Sequence, residues 1–254
     1  MTTTKSRTCK CMLAFGTLLA ACSTPLASPR VLVVDDQPTW SWRYLSASLR
    51  HDAELSVSSC LVGSEVAAAR VPFPASATEL AAYDVVICGD FAVPGDDATS
   101  SAWWHALSAF VRAGGGVIFE CGPESSMRWQ RPEIAALLPV QLATSTSSAG
   151  PTSLCLADDA PIDFAGTLAG EAPAATFAAL APISHRPVVG LAPSARVIAV
   201  DVTHRQPVLA SMEVGAGRTV WVGSDETWRW RDPNPDLMAS VWARLVRFAA
   251  AGRR

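Results

Sequence analysis

The side chains in this sequence that are best placed for chemistry are acids and one cysteine, and each of them follows a short apolar run. Apolar runs rich in valine and isoleucine, without polar alternation, predict strands that are buried on both faces of a parallel sheet. The carboxyl ends of parallel strands share one edge of the sheet, which is where the ligands of open α/β folds bind. The sequence predicts seven residues at that edge: Asp35, Asp36, Asp90, Glu120, Cys121, Asp225 and Glu226.

Two interpretations of this row of acids are open. Carboxylates can hold Mg²⁺ or Ca²⁺, because both ions prefer oxygen ligands. Acids also recur at such an edge because its loops are solvated and cap the next helix. No spacing between the acids matches a metal-binding loop, so we favour the second interpretation and expect no metal site.

Two clusters of tryptophan and arginine follow the first and the last predicted strands. They consist of Trp40, Trp42 and Arg43, and of Trp228, Arg229, Trp230 and Arg231. Indoles stack on sugar rings and arginine binds carboxylates in a bidentate manner, so the clusters could bind a carbohydrate or an acidic ligand. Alternatively, Arg–Trp stacks and pairs of an arginine with Asp35 or Asp225 hold the two loops together as an internal latch. We favour the latch.

The elements that must position these residues follow an α/β order. Strands are predicted at 30–36, 55–62, 83–88 and 117–119, helices at 40–50 and 100–112, an alternating meander at 196–202, 207–214 and 218–223, and an amphipathic helix at 237–250. In the last helix the periodicity leaves Arg244 and Arg247 off the apolar stripe. Together they predict a doubly wound, mostly parallel α/β sheet with a β-rich meander inserted before the last strand and a C-terminal helix.

The composition excludes several classes of function. Hydrophobic residues make up 50% of the chain and charged residues 17%, so the chain can bury a continuous core. The formal net charge is −3, and without a basic run we expect no nucleic-acid partner. The only lysines are Lys5 and Lys10, inside the leader described next. A lysine Schiff base and a P-loop nucleotide site are therefore excluded, and we expect no cofactor.

The start of the chain is typical of an export signal. Residues 1–11 are basic, residues 12–21 are apolar, and Leu19-Ala20-Ala21-Cys22 resembles the lipobox of bacterial lipoproteins. This apolar stretch is too short to span a bilayer, which needs ~20 residues. We expect a signal peptide at 1–22 that ends in lipidation at Cys22. An ordinary signal cut near Ala27 and a misassigned start are the alternatives.

Lipidation would place the protein in the cell envelope, with the lipid as its only attachment to the membrane. We expect a tether at 23–29 and a single α/β domain at 30–252, with an irregular insertion at about 123–195 where the periodicity is lost.

Four cysteines follow the leader, at irregular spacings and without a Cys-x-x-Cys pair: Cys60, Cys88, Cys121 and Cys155. A structural zinc site is therefore not expected. Four cysteines allow three disulfide pairings, and buried free thiols fit the sequence equally well.

Four segments carry a resemblance to a known family: 31–45, 83–90, 110–119 and 217–231. They resemble the glutamine amidotransferase-like domains of bacterial envelope proteins, which are often attached to von Willebrand factor A modules. The most specific piece is Gly-Ser-Asp-Glu-Thr-Trp-Arg-Trp-Arg at 223–231. The resemblance implies a flavodoxin-like, class I amidotransferase-like fold over residues 30–250.

The resemblance also places Cys121 at the position of the amidotransferase nucleophile. In class I amidotransferases that cysteine lies in a Gly-x-Cys-x-Gly turn, and a later His-Pro-Glu supplies the base and its orienting acid. Here Phe119 and Pro123 replace the glycines, and Ser224-Asp225-Glu226 stands where His-Pro-Glu is expected. A cysteine without a histidine partner attacks amides poorly.

Two further groups bear on the reactivity of Cys121. Glu120 beside it could raise the thiol pKa or act as a weak acid or base. A histidine could still approach the sulfur in space, and the candidates are His51, His105, His185 and His204.

These inferences favour a degenerate amidotransferase-like envelope module that binds a ligand or another envelope protein without catalysis. One alternative is a cysteine-dependent hydrolase or amidotransferase that uses Cys121, which a histidine near its sulfur would favour. The other is a carbohydrate-binding protein that uses the two Trp/Arg clusters, which exposed, parallel indoles would favour.

Overall fold

The computed structural model describes residues 28–62, 71–143, 148–165, 173–232 and 234–251. The expected signal peptide with Cys22, and residues 23–27 of the expected tether, lie outside the described residues. The strands are β1 (Arg30–Asp35), β2 (Ser56–Leu61), β3 (Val85–Cys88), β4 (Gly116–Glu120), β5 (Val140–Leu142), β6 (Ala149–Thr152), β7 (Leu154–Leu156), β8 (Ile183–His185), β9 (Val188–Leu191), β10 (Arg196–Asp201), β11 (Pro207–Val214) and β12 (Gly217–Val222). The helices are α1 (Trp40–His51), α2 (Ala77–Leu80), α3 (Asp97–Arg112), α4 (Ser125–Arg128), α5 (Pro132–Ala135), α6 (Ile162–Ala165), α7 (Pro173–Ala178) and α8 (Pro235–Ala250). A 3-10 helix at Thr227–Arg231, here called the closing turn, precedes α8.

The centre of the fold is an eight-stranded mixed sheet in the order β2-β1-β3-β4-β12-β11-β10-β7. The first five strands in this order are parallel. The remaining three continue the sheet antiparallel from β12. The predicted doubly wound, mostly parallel sheet is therefore confirmed, together with the meander before the last parallel strand and the C-terminal helix.

Both faces of the parallel strands are buried, which is why their sequences do not alternate. In β1, Val31 and Val33 belong to the core layer beneath α1 and α8, and Leu32 and Val34 belong to the opposite layer beneath α3. The whole apolar run of each parallel strand is therefore buried in the core, and these strands end at the same edge of the sheet. No helix among the described residues is long and apolar enough to cross a membrane.

The first helix begins immediately beyond that edge. Thr39 caps α1 by accepting a hydrogen bond from the Trp42 N–H at 3.1 Å. The cap places the first turn of the helix over the end of β1, which is what brings Ser41 to the site described below.

The stretch from 123 to 195, for which the sequence predicted no elements, contains short helices and strands. Two pairs, β5–β9 and β6–β8, form small two-stranded sheets, whereas β7 joins the edge of the main sheet. Helix α6 from this stretch contacts α8. Arg244, predicted to lie off the apolar stripe of α8, is therefore buried, with its guanidinium 5.6 Å from the ring of Phe164.

Candidate functional site

The carboxyl ends of β1, β3, β4 and β12 surround a cavity of about 290 Å³. Its charged lining consists of Asp35, Asp36, Asp90, Glu120, Glu124, Asp225 and Arg128. Five of the seven residues that the sequence analysis assigned to this edge line the cavity; Cys121 and Glu226 are not part of the lining.

Asp35 ends β1 and its side chain is buried. Its Oδ1 accepts the N–H groups of Asp36 at 2.8 Å and Gln37 at 3.3 Å, and its Oδ2 accepts the Thr39 hydroxyl at 3.4 Å. Burial raises the pKa of Asp35 to about 7, because the backbone bonds only partly compensate for lost hydration and the charges of Asp36 and Asp90 add to the effect.

Glu120 ends β4 and is only 3% exposed. Its Oε1 accepts the hydroxyl of Ser41 at 2.5 Å and that of Thr227 at 2.8 Å. Burial is the main cause that raises the pKa of Glu120 to about 8, and the charges of Asp35 and Asp225 raise it further. This carboxyl is therefore largely protonated at neutral pH.

Asp90 follows β3 and organises the loop after β4. It accepts the Glu124 N–H at 2.8 Å and the Ser125 hydroxyl at 3.1 Å. Arg128 of α4 lies 3.4 Å from Asp90 and 3.3 Å from Asp36, so it joins two of the strand ends. Burial raises the pKa of Asp90, although these hydrogen bonds and Arg128 oppose the effect.

Two glycines make this crowding of carboxyls possible. A Cβ on Gly89 would lie 2.7 Å from Asp35 Oδ2, and one on Gly122 would lie 2.5 Å from Asp90 Oδ2. The absent side chains therefore leave the space that the carboxylates occupy.

Asp225 follows β12 and completes the ring of acids. Burial raises its pKa, whereas the charge of Arg186 lowers it. Glu226 lies outside the cavity and instead accepts the Ser184 N–H at 2.9 Å and Arg229 Nε at 3.2 Å.

Cys121 is fully buried, and its sulfur is 3.9 Å from the Gly122 carbonyl to which it donates. Burial raises the pKa of this thiol to about 12, and the charge of Arg186 opposes the shift only in part. A thiol with such a pKa supplies almost no thiolate at neutral pH.

The four histidines lie elsewhere among the described residues, and none is within hydrogen-bond distance of the Cys121 sulfur. His51 and His105 are exposed on α1 and α3. His185 is buried with its Nε2 3.7 Å from Asp201, and His204 approaches the other oxygen of Asp201. The geometry therefore contains no Cys–His pair in the described part of the chain.

Cys60, Cys88, Cys121 and Cys155 are free thiols. Cys60, Cys88 and Cys121 are buried as apolar core residues, whereas Cys155 is partly exposed.

The first Trp/Arg cluster divides between core and surface. Trp42 is buried in the core. Trp40 is 59% exposed and stacks on Tyr44, with ring centroids 5.7 Å apart and an angle of 13°. Arg43 is exposed and donates to the Pro38 carbonyl at 3.1 Å.

The second cluster divides in the same way. Trp230 is buried, and the guanidinium of Arg231 lies 4.0 Å from the ring centre of Tyr44 on α1. Arg229 stays within its own turn, 4.7 Å over Trp228 and paired with Glu226. Of the arginines in the two clusters, Arg231 thus bridges the loops, and its partner is Tyr44 instead of a tryptophan or an aspartate.

Sequence reasoning missed three polar residues that shape the site. Ser41 and Thr227 could have been found, because Pro38-Thr39 before a helical run predicts a helix start at the strand edge and Thr227 directly follows the last two acids. Arg128 lies in the stretch without periodicity, and nothing in the sequence marked it.

The described residues contain no group of three or more His, Cys, Asp or Glu side chains that could hold a metal ion. Asp35 and Asp36 lie together at the end of β1, whereas Asp90, Glu120 and Asp225 lie at the ends of three other strands. The arrangement can accept hydrogen bonds, donate a proton from Glu120 and attract positive charge.

Comparisons with known proteins concern the fold. No protein-family model and no curated protein sequence matches the chain. Two solved structures of cytoplasmic proteins from Salmonella typhimurium are each 15% identical to it, with TM-scores of 0.63. The alignments cover 86% and 87% of this chain and 98% and 99% of those proteins.

A third similar structure is a ThuA-like protein from Parabacteroides merdae. It is 11% identical, with a TM-score of 0.53, and the match covers 89% of this chain and 91% of that one. At this identity the likeness concerns the fold alone. The chain is therefore similar in fold to ThuA-like proteins, with a flavodoxin-like, class I amidotransferase-like architecture.

Proposed function

We propose that this domain is a degenerate amidotransferase-like module that binds a ligand in the acidic cavity without covalent catalysis. The observation that carries the proposal is the separation of the two candidate sites. Cys121 is buried in the core and no histidine among the described residues reaches its sulfur, whereas the carboxyls of four strand ends surround open space.

The environment of Cys121 supports a structural role. A nucleophilic thiol needs a depressed pKa or an adjacent base, and burial raises the pKa of Cys121 to about 12. Its sulfur packs in the core layer that also contains Phe119 and Trp221.

The test combines an assay with thiol mapping. We expect no ammonia release from glutamine above background, and no difference between wild type and Cys121→Ala. In the folded protein iodoacetamide should modify the partly exposed Cys155 and leave Cys121 unmodified until denaturant is added. Ammonia release that depends on Cys121 would falsify the proposal.

We also propose that the module is exported and anchored in the envelope through Cys22, where it meets its ligand or an envelope partner. The basic start, apolar core and Leu-Ala-Ala-Cys quartet support this proposal. A clickable fatty acid should label wild type and not Cys22→Ala. Equal labelling of both proteins, or none of either, would contradict it.

Carbohydrate binding is the second candidate, and Trp40 is the observation that favours it. Trp40 is exposed and lies between Thr39 and Ser41, both of which line the cavity. A flat indole at the rim of a polar cavity can stack on a sugar ring. Under this candidate Trp40→Ala loses binding to an envelope polysaccharide, whereas Ile162→Ala, which removes an even more exposed apolar side chain elsewhere, keeps it.

A further inference from the structure

We infer that a second cavity, here called the apolar cavity, binds a small uncharged molecule whose oxygen accepts a hydrogen bond from the indole N–H of Trp129. This cavity has a volume of about 550 Å³. Its lining comes from α5, β5 and β11 and from residues that follow α4, α5 and β9. It shares no described lining residue with the acidic cavity, so the inference does not depend on the proposed function.

The first support is the composition of the lining. None of the described residues that line the apolar cavity carries a charge, and most of them are apolar. Its buried members, Trp129, Leu138, Val140 and Met212, belong to the hydrophobic layer beneath α3. Such a lining favours an uncharged ligand, because a charge buried there would lose its hydration without gaining a partner. The volume also lies within the range of roughly 300–1,000 Å³ that is typical of small-molecule sites.

The second support is a buried donor without an acceptor. Trp129 is only 1% exposed, and its Nε1 has no hydrogen-bond partner among the described residues. A buried N–H group without an acceptor costs free energy, and a ligand oxygen at this wall of the cavity would remove that cost. Because an indole can only donate, the ligand must supply an acceptor such as a carbonyl or ether oxygen.

Neighbouring elements hold this indole in place. The backbone N–H of Trp129 donates to the Ser125 carbonyl at 2.8 Å, at the end of α4. The indole packs edge-to-face on Phe119 of β4, with ring centroids 5.2 Å apart and an angle of 70° between the rings. A donor that is already fixed loses little conformational freedom when a ligand binds.

Trp242 provides a comparison within the same chain. Its indole N–H is also buried and without an acceptor among the described residues, but it belongs to the opposite core layer. The two indoles therefore match in burial and differ in that only Trp129 lines the apolar cavity. A signal of ligand binding should appear at Trp129 and be absent from Trp242.

The experiment uses three probes that share one skeleton. 4-Phenyl-2-butanone is uncharged and carries a carbonyl, and butylbenzene has a methylene group in place of that carbonyl. In 3-phenylpropanoate a charged oxygen replaces the terminal methyl group of the ketone. Binding to the full chain is followed by NMR of the tryptophan indole groups, labelled with ¹⁵N and assigned by triple-resonance experiments, at equal probe concentrations below the solubility of butylbenzene.

We expect the ketone to move the indole proton signal of Trp129 downfield, because a new hydrogen bond deshields the proton, and to leave the signal of Trp242 unchanged. At pH 7.5 the ketone should bind at least about tenfold more tightly than 3-phenylpropanoate. The carboxylate is ionised at this pH and finds no cationic partner among the described lining residues.

A first pair of variants tests the donor. Trp129→Phe keeps an aromatic ring and removes the N–H group, so the ratio of the ketone affinity to the butylbenzene affinity should fall at least about threefold. Trp242→Phe should keep the wild-type ratio. The ratio isolates the hydrogen bond, because a change in the shape of the cavity affects both probes.

A second pair tests the place of binding. Ala136 is exposed and lines the apolar cavity, so Ala136→Phe should fill the cavity and abolish binding of both uncharged probes. Its control is Ala81→Phe, outside the lining. Ala81 is likewise exposed at the end of a short helix, with backbone angles of −65° and −12° against −67° and −14° for Ala136. This control should bind as the wild-type protein does.

Each other outcome overturns the inference. An unmoved Trp129 signal, or an unchanged affinity ratio in Trp129→Phe, would show that the cavity does not use the indole N–H. Equal or tighter binding of 3-phenylpropanoate would show an anion site. Absence of ketone binding, or ketone binding that Ala136→Phe leaves intact, would exclude the apolar cavity. If Trp129→Phe does not fold, the Trp129 signal and the alanine pair decide, and none of these results bears on the acidic cavity.

Discussion

Glu120 is a buried acid whose surroundings favour its protonated form. It is almost inaccessible, yet its hydrogen bonds from Ser41 and Thr227 both go to one oxygen. An ionised carboxylate in this position would lose hydration and face Asp35 and Asp225. The folded protein therefore favours the protonated form, and stability is linked to pH.

The direction of this linkage follows from the raised pKa. Glu120 titrates near its usual value of 4.5 when unfolded and at about 8 when folded, so its contribution is complete below pH 4.5 and is lost as the pH rises through 8. Between pH 6.5 and pH 9 we expect Glu120 to lower the free energy of unfolding by about 2 kcal/mol, and the raised pKa of Asp35 adds to this fall. The pKa of His185 is lowered from its usual value of 6.5, so His185 affects the stability mainly below pH 6.5.

Urea unfolding at pH 6.5 and pH 9 measures this change. Glu120→Gln should show a clearly smaller fall than wild type. Asp158→Asn, which changes a carboxylate that is 95% exposed and outside the acidic cavity, should show the same fall as wild type. A wild-type stability that is constant or rises over this range would contradict the prediction.

Arg231 and Arg229 allow a paired test of the latch between the closing turn and α1. Arg231 crosses from the closing turn to the Tyr44 ring on α1, and such contacts are worth ~0.5–2 kcal/mol. Arg229 keeps both of its contacts, the exposed Glu226 pair and the Trp228 ring, inside its own turn, where neither joins two elements and an exposed pair is worth only ~0.2–1 kcal/mol. In denaturant unfolding Arg231→Ala should therefore cost more stability than Arg229→Ala, and the reverse order would show that the latch does not hold these elements together.

At the scale of elements, the packing of α3 on the parallel part of the sheet depends on close backbone contact between α3 and β12. A Cβ on Gly217 would lie 2.1 Å from the Val111 carbonyl oxygen and 2.3 Å from that of Gly115. Backbone atoms cannot move aside as a flexible side chain can, so the space at Gly217 fixes how the helix end approaches the strand.

Gly217→Ala tests this contact against Gly150→Ala, where a Cβ would meet nothing within 4 Å. We expect Gly217→Ala to lower the free energy of unfolding by ~1–3 kcal/mol, with a change of less than ~0.5 kcal/mol for Gly150→Ala. Equal effects in chemical denaturation would mean that the approach is not tight.

The elements also show which parts of the fold a sequence can predict. Strands such as β1 and β4 are recognisable because both of their faces are buried, and their ends placed Asp35 and Glu120 at one edge. Helix α4 and strand β7 are too short to show a period, so Arg128 and the eighth strand of the sheet were not foreseen. The position of Ser41 against Glu120 depends on how α1 packs, which periodicity does not specify.

At the scale of the molecule, the two halves of the sheet share a central strand. β12 pairs with parallel β4 on one side and antiparallel β11 on the other, and α8 packs against β3, β4 and β12 as well as α1. Neither half can therefore lose β12 or α8 without exposing the core of the other. This arrangement predicts one cooperative unfolding unit despite the long irregular stretch.

Trp242 on α8 allows a test, because it is fully buried and its indole N–H has no hydrogen-bond partner among the described residues. Trp242→Ala removes packing alone and should lower the free energy of unfolding by about 3–5 kcal/mol. Its control, Trp40→Ala, removes an exposed indole and should cost less than ~0.5 kcal/mol.

Far-UV circular dichroism and tryptophan fluorescence should give coincident transitions in all three proteins, because α8 and both halves of the sheet unfold together. Two separated transitions in wild type, or a Trp242→Ala protein in which only one probe shifts, would show that the halves are stable independently.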